Sequence, residues 1–191
     1  MRFFGKLLCT LTSITLLLQA FNVEANNEPS NVSLSQTTPL ISEQAQQTAD
    51  FAVAKYSLAA KNALAEMIAF KTVARDDIAY NDNPEFTGFR QWLVKKANIL
   101  GLKVSDHGHV VLISVGSGQK ALGLITHGDV QPANPSKWQQ NPFTLDDTSE
   151  PGKWLGRGTE DDKGPIAAAL YAMKALQEKH IPLSGSSQAP E

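Results

Sequence analysis

The stretch "GRGTEDDKGP", Gly156 to Pro165, constrains this chain more than any other ten residues. Glu160, Asp161 and Asp162 stand in a row, hemmed by Gly156, Gly158 and Gly164, and Pro165 opens a helical pattern. Proline suits a first helical turn because its missing N–H would have no partner there anyway. Asp161 then lies just before a helix N-terminus, where the macrodipole and free N–H groups favour an ionised carboxylate. Acids in that position are common for structural reasons alone. Three of them on one tight loop repel each other, and a divalent cation relieves that repulsion. Such a loop needs a partner from elsewhere in the chain.

The surrounding pattern is α/β. Residues 45–70 are Ala-rich, with Phe51, Ala54, Leu58, Ala65, Ile68 and Phe70 spaced for one helical face. A loop closed by Pro84 follows, and then Phe89, Trp92, Leu93, Ala97 and Leu100 repeat at helical spacing up to a Gly101 C-cap. "LKVSDHGHVVLISVG" alternates and turns at Asp106-His107-Gly108, which predicts a hairpin. "ALGLITHGDV" is a nearly continuous apolar run, which suits a strand buried on both faces. The last helix is expected from Pro165 to about Lys179. The fold class read from this order is α/β, a mixed sheet with flanking helices, incomplete at the C-terminus.

Net charge is −2, and there is no polybasic patch, which argues against nucleic acid and anionic membrane surfaces as partners. Arg2 and Lys6 precede an apolar run from Leu7 to Phe21, and Val23-Glu24-Ala25 has the small-x-small form of a cleavage site. Residues 1–25 are therefore expected to be a signal peptide rather than a span, which takes about 20 apolar residues. Cys9, the single cysteine, would leave with it, so no disulfide or thiol chemistry is expected in the mature chain. Residues 26–44 are expected to be a flexible polar lead-in. The expected location is periplasmic or secreted, with no stable membrane insertion after cleavage.

His127-Gly128-Asp129 ends the apolar run, where open α/β sheets place their ligand sites. A neutral imidazole is a good ligand for a borderline metal, and a carboxylate two residues on can hold its other ring nitrogen. H-x-D alone is a weak signal, since a strand-end histidine also serves as a turn or capping residue. His107 and His109 flank a glycine in the expected hairpin turn and are read as structural.

Taken together, "HGDV", then Trp138, Pro142 and Phe143, then "GRGTEDDKGP" resemble the M20 family of co-catalytic metallopeptidases, and most closely its dipeptidase branch of PepV-like and carnosinase-like enzymes. The resemblance runs from about Ala63 to about Leu183 and implies that residues 45–183 are the amino-terminal part of a zinc-peptidase-like catalytic domain. It implies that His127 binds one of two divalent metal ions, with zinc expected and cobalt or manganese as alternatives. It implies that Asp129 is the catalytic-site acid orienting that histidine. Asp161 would bridge both metals, Asp162 would be no ligand, and the Asp161–Asp162 peptide would be cis. Arg157 and Lys163 are expected to neutralise neighbouring acids, Glu160 to be solvated, and Trp138 and Phe143 to pack the loop.

The implied activity is hydrolysis of dipeptides or short peptides, with a homo-oligomer as one arrangement. Alternatives are an M20 amidohydrolase or deacylase of acylated amino acids, and a non-catalytic metal- or partner-binding periplasmic module. The general-base glutamate and the remaining ligands that the family uses have no match here. After Asp161 the acids are Asp162, Glu178 and Glu191. Residues 184–191, "GSSQAPE" with its preceding serine, read as a disordered tail where another strand is due. A truncation or frameshift that leaves the chain inactive by itself is the resulting expectation.

Overall fold

A computed structural model describes residues 42–117 and 122–182. The expected signal peptide, most of the lead-in and the tail lie outside these residues. Helix α1 spans Glu43–Ile68, two residues ahead of the boundary read from the sequence. The Ser42 side chain accepts the Ala45 N–H at 3.2 Å, and Glu43 adds an acid to the first turn, so both local signals favour a start here. Its apolar stripe differs from the one expected. Ala54 and Leu58 face solvent, and the buried positions are Ala63, Leu64, Met67 and Ile68. Alanines on several faces blur the period, so the sequence alone could not orient this helix.

Helix α2, Pro84–Leu100, is framed as its sequence indicates. Asn83 accepts the Glu85 N–H at 3.0 Å, Pro84 occupies the first turn, and Gly101 closes the helix at φ 74°, a left-handed conformation that glycine adopts without a Cβ penalty. Phe89, Leu93, Ala97 and Leu100 are buried. Trp92 is half-buried, and its indole N–H donates to Glu66 at 2.7 Å. Strands β1, Lys103–Asp106, and β2, Val111–Ser114, form the expected antiparallel hairpin, with Lys103 opposite Ser114 and Asp106 opposite Val111. Helix α3, Lys163–Glu178, presents Ile166, Ala167, Leu170 and Tyr171 to α1, its main partner. The core is therefore three helices with the hairpin at the edge.

The expected buried strand is absent. Residues 122–130 carry no strand pairing, and Leu122, Leu124 and Ile125 are 75%, 54% and 98% exposed. A strand buried on both faces needs neighbours on both sides. Among the described residues the sheet has only β1 and β2. What the segment keeps is an anchor at its end, where the Val130 N–H donates to the Thr72 carbonyl at 2.8 Å. No described helix is long and apolar enough to cross a membrane.

Candidate metal centre

The glycine-rich loop folds back on itself before α3. The Lys163 N–H donates to the Gly158 carbonyl at 3.0 Å, and the Thr159 hydroxyl to the Gly156 carbonyl at 2.9 Å. Gly158 has φ 94°, and a Cβ there would stand 2.9 Å from Val130, so the turn requires glycine. The Asp161–Asp162 peptide bond is cis. Asp162 occupies the N-cap of α3 without capping it, and its carboxylate instead accepts the His127 backbone N–H at 3.2 Å. The sequence reading gave Asp162 no partner, and nothing in the local pattern points to a residue 35 positions away.

This bond brings the two motifs together. His127 Nε2 lies 2.9 Å from Asp161 Oδ1. On the opposite side of the ring, Nδ1 lies 3.2 Å from both the carboxylate and the carbonyl oxygen of Asp129. All three side chains are at least half exposed. Burial pulls the His127 imidazole down, but Asp129 and then Asp161 outweigh it and hold the ring above the usual histidine range. Both carboxylates favour the charged form of the ring, the form that a cation at Nε2 would have to displace.

Two of the neutralising roles expected from the sequence are not found. Lys163 is fully buried, and its ammonium donates to the carbonyls of Met67 at 3.0 Å and Phe70 at 2.7 Å, at the end of α1. It sits 5.1 Å from the centre of the Phe89 ring. The helix end offers carbonyl oxygens with accepting capacity to spare and the negative end of a dipole, which a cation on a four-carbon stem satisfies from the interior. Arg157 lies over the Trp138 ring at 5.5 Å and donates to the Pro132 carbonyl at 3.3 Å. Glu160 is exposed, and Trp138 and Phe143 lie against Arg157 and Lys71 within the loop region. His107 meets Ser105 at 3.0 Å and His109 stacks on Tyr80, both at the hairpin and away from the centre.

Burial pushes the Lys163 ammonium down from 10.5 to about 8, with Glu85 and Asp129 acting the other way. The unfolded chain then binds the extra proton between these two values, so stability rises as pH climbs from about 8 toward 10.5. The rise is expected to reach the order of 3 kcal/mol at the upper limit. Tyr56, which burial and Glu178 raise to about 12, works in the opposite direction above pH 10. Urea unfolding at pH 7.5 and 9.5 isolates the lysine: the midpoint should rise, and it should stay flat in Lys163→Met. A falling midpoint in the unaltered chain would contradict this assignment.

The donor chemistry at the centre suits a borderline divalent cation, since an imidazole nitrogen and a carboxylate oxygen already stand within hydrogen-bond distance of each other. The number of donors falls short of a closed shell. Zinc sites take three or four protein ligands, and no group of three His, Cys, Asp or Glu able to hold a metal occurs among the described residues. His127 and Asp161 supply one nitrogen and one oxygen donor of the type such a cation takes, too few for a shell by themselves.

Residues 123–188 match peptidase family M20/M25/M40. The M20-like chain is 36% identical over 119 residues to a protein of Staphylococcus saprophyticus provisionally named a dipeptidase, covering 60% of this chain and 25% of the relative. It is 35% identical over 124 residues to a Staphylococcus aureus protein named in the same way, covering 63% and 26%. It spans about a quarter of the length of these relatives. Its fold is similar to human carnosine dipeptidase 1, with a TM-score of 0.50 at 20% identity over 71% of this chain and 31% of that one. It is also similar to the di-peptidase Dug1p of Saccharomyces cerevisiae, with a TM-score of 0.51 at 17% identity over 73% and 32%.

Proposed function

We propose that this M20-like chain supplies His127 and Asp161 to a dinuclear metal site that hydrolyses the peptide bond of dipeptides or short peptides, in the periplasm or outside the cell. The observation that carries this reading is the convergence of His127 with Asp161 at 2.9 Å and with Asp129 at 3.2 Å, all three within the segment that matches the M20 family. When bound, the metals would polarise the scissile carbonyl and lower the pKa of a water molecule. His127 would bind through Nε2 after losing its proton, and Asp129 would keep Nδ1–H fixed and the ring oriented. The Asp161 carboxylate would supply an oxygen ligand beside Nε2. Glu178 stands on α3, bonded to Lys55 and Tyr56, and Asp162 holds the His127 amide, so neither is placed as the general base.

Calorimetric titration with zinc in two buffers of different ionisation enthalpy tests the ligands. Binding should release a proton, and His127→Ala or Asp161→Asn should each weaken it by at least tenfold. His107→Ala should leave it unchanged. Equal losses in all three, or no binding, would remove the metal reading. The substrate class is tested in the cobalt-loaded chain. A dipeptide should shift the visible bands; a shift given only by an N-acylated amino acid would favour the deacylase alternative.

A further inference from the structure

One short turn after α1 holds both motifs of the centre. Thr72 is fully buried. Its hydroxyl donates to the Gly128 carbonyl at 2.5 Å, and its own carbonyl accepts the Val130 N–H at 2.8 Å, so it grips the chain on both sides of Asp129 and directly after His127. Gly128 cannot shift toward α2, because a Cβ built on it already falls 2.1 Å from the Phe89 ring. From the other motif, Lys163 reaches the Met67 and Phe70 carbonyls of the same turn. Little else holds the histidine in place. The segment before it has no strand pairing and exposes Leu124 and Ile125, and among the described residues His127 itself is tied through its contacts with the three aspartates.

We propose that Thr72 is a positioning residue for the metal site, its hydroxyl fixing the separation between His127 and Asp161. The inference rests on the metal reading above. Metal–ligand distances are tolerant only to about 0.2 Å, whereas a fold absorbs a larger spread in an exposed segment. Loss of the hydroxyl should therefore weaken metal affinity more than it weakens the fold. Nothing in "FKTVARD" singles out this threonine in the sequence.

The test is a cobalt titration of the full chain, followed by visible absorption. Thr72→Val is near-isosteric and lacks the hydroxyl, and it should raise the dissociation constant about tenfold. Thr72→Ser keeps the hydroxyl and should restore affinity to within about twofold of the unaltered chain, a recovery that loss of packing alone would not give. If Thr72→Val does not fold, Thr72→Ala removes the same donor without adding bulk and is read in its place. Affinity in the hydroxyl-free variant equal to that of the unaltered chain overturns this inference alone, as does a serine variant as weak as valine. Absence of cobalt binding by the unaltered chain overturns the metal reading and this inference with it.

Discussion

Gly164→Ala is expected to lower the melting temperature by about 8 °C. A Cβ at this position falls 2.1 Å from the Thr159 carbonyl oxygen and 3.3 Å from its carbon. Both atoms are backbone, held in a loop whose Gly156, Gly158 and Thr159 already bond one another and the start of α3. A flexible side chain could swing away, but this carbonyl cannot move without opening the turn that presents Asp161. Overpacking of this kind costs about 3 kcal/mol, and at this chain length each kcal/mol is about 2–4 °C. Gly123→Ala is the control. A Cβ there meets nothing within 4 Å, and its melting temperature should stay within the small range of a neutral surface change. Scanning calorimetry of both variants decides the matter: equal transitions would show that the loop has slack.

Lys163→Ala is expected to destabilise the chain at pH 7 by about 4 kcal/mol, and Lys163→Met by roughly half as much. Alanine empties the space filled by the stem, which lies against Gly158 and Phe89, and leaves the Phe70 carbonyl without its 2.7 Å donor. The Met67 carbonyl keeps the Phe70 N–H at 3.2 Å. Methionine refills the volume and removes the desolvation penalty of a buried ammonium, so the unpaired carbonyl is its main defect. Urea unfolding of the three proteins separates the two contributions. A methionine variant as unstable as alanine would mean that the ammonium, rather than the stem, holds α1 to the loop.

Lys163 also marks where the sequence stops being legible. It follows three acids directly, and a lysine among acids reads as their counter-ion. Its side chain turns the other way, into the end of a helix more than 90 residues earlier, where the Met67 and Phe70 carbonyls accept it. Thr72 and Asp162 belong to the same class: short polar side chains whose partners lie 56 and 35 residues away. The apolar run at 122–126 fails in a different manner. Its composition records a tendency to be covered, and Leu122, Leu124 and Ile125 remain exposed because burial depends on neighbouring strands, which the described residues do not supply.

What the sequence by itself determined is what local chemistry governs. Asn83-Pro84 and Gly101 bound α2, Asp106 to Gly108 turns the hairpin, and the 3.6-residue spacing buries Leu93, Ala97 and Leu100. The two motifs that carry His127, Asp129 and Asp161 were equally visible, since each is a short run of adjacent residues. Tertiary structure alone decided how those motifs meet. The imidazole faces Asp161, Asp162 holds the His127 amide, and Thr72 and Lys163 fasten both motifs to one turn. Each of these bonds joins groups far apart in the chain, and only the packing of α1 against α3 brings their donors and acceptors within 3 Å or so of each other.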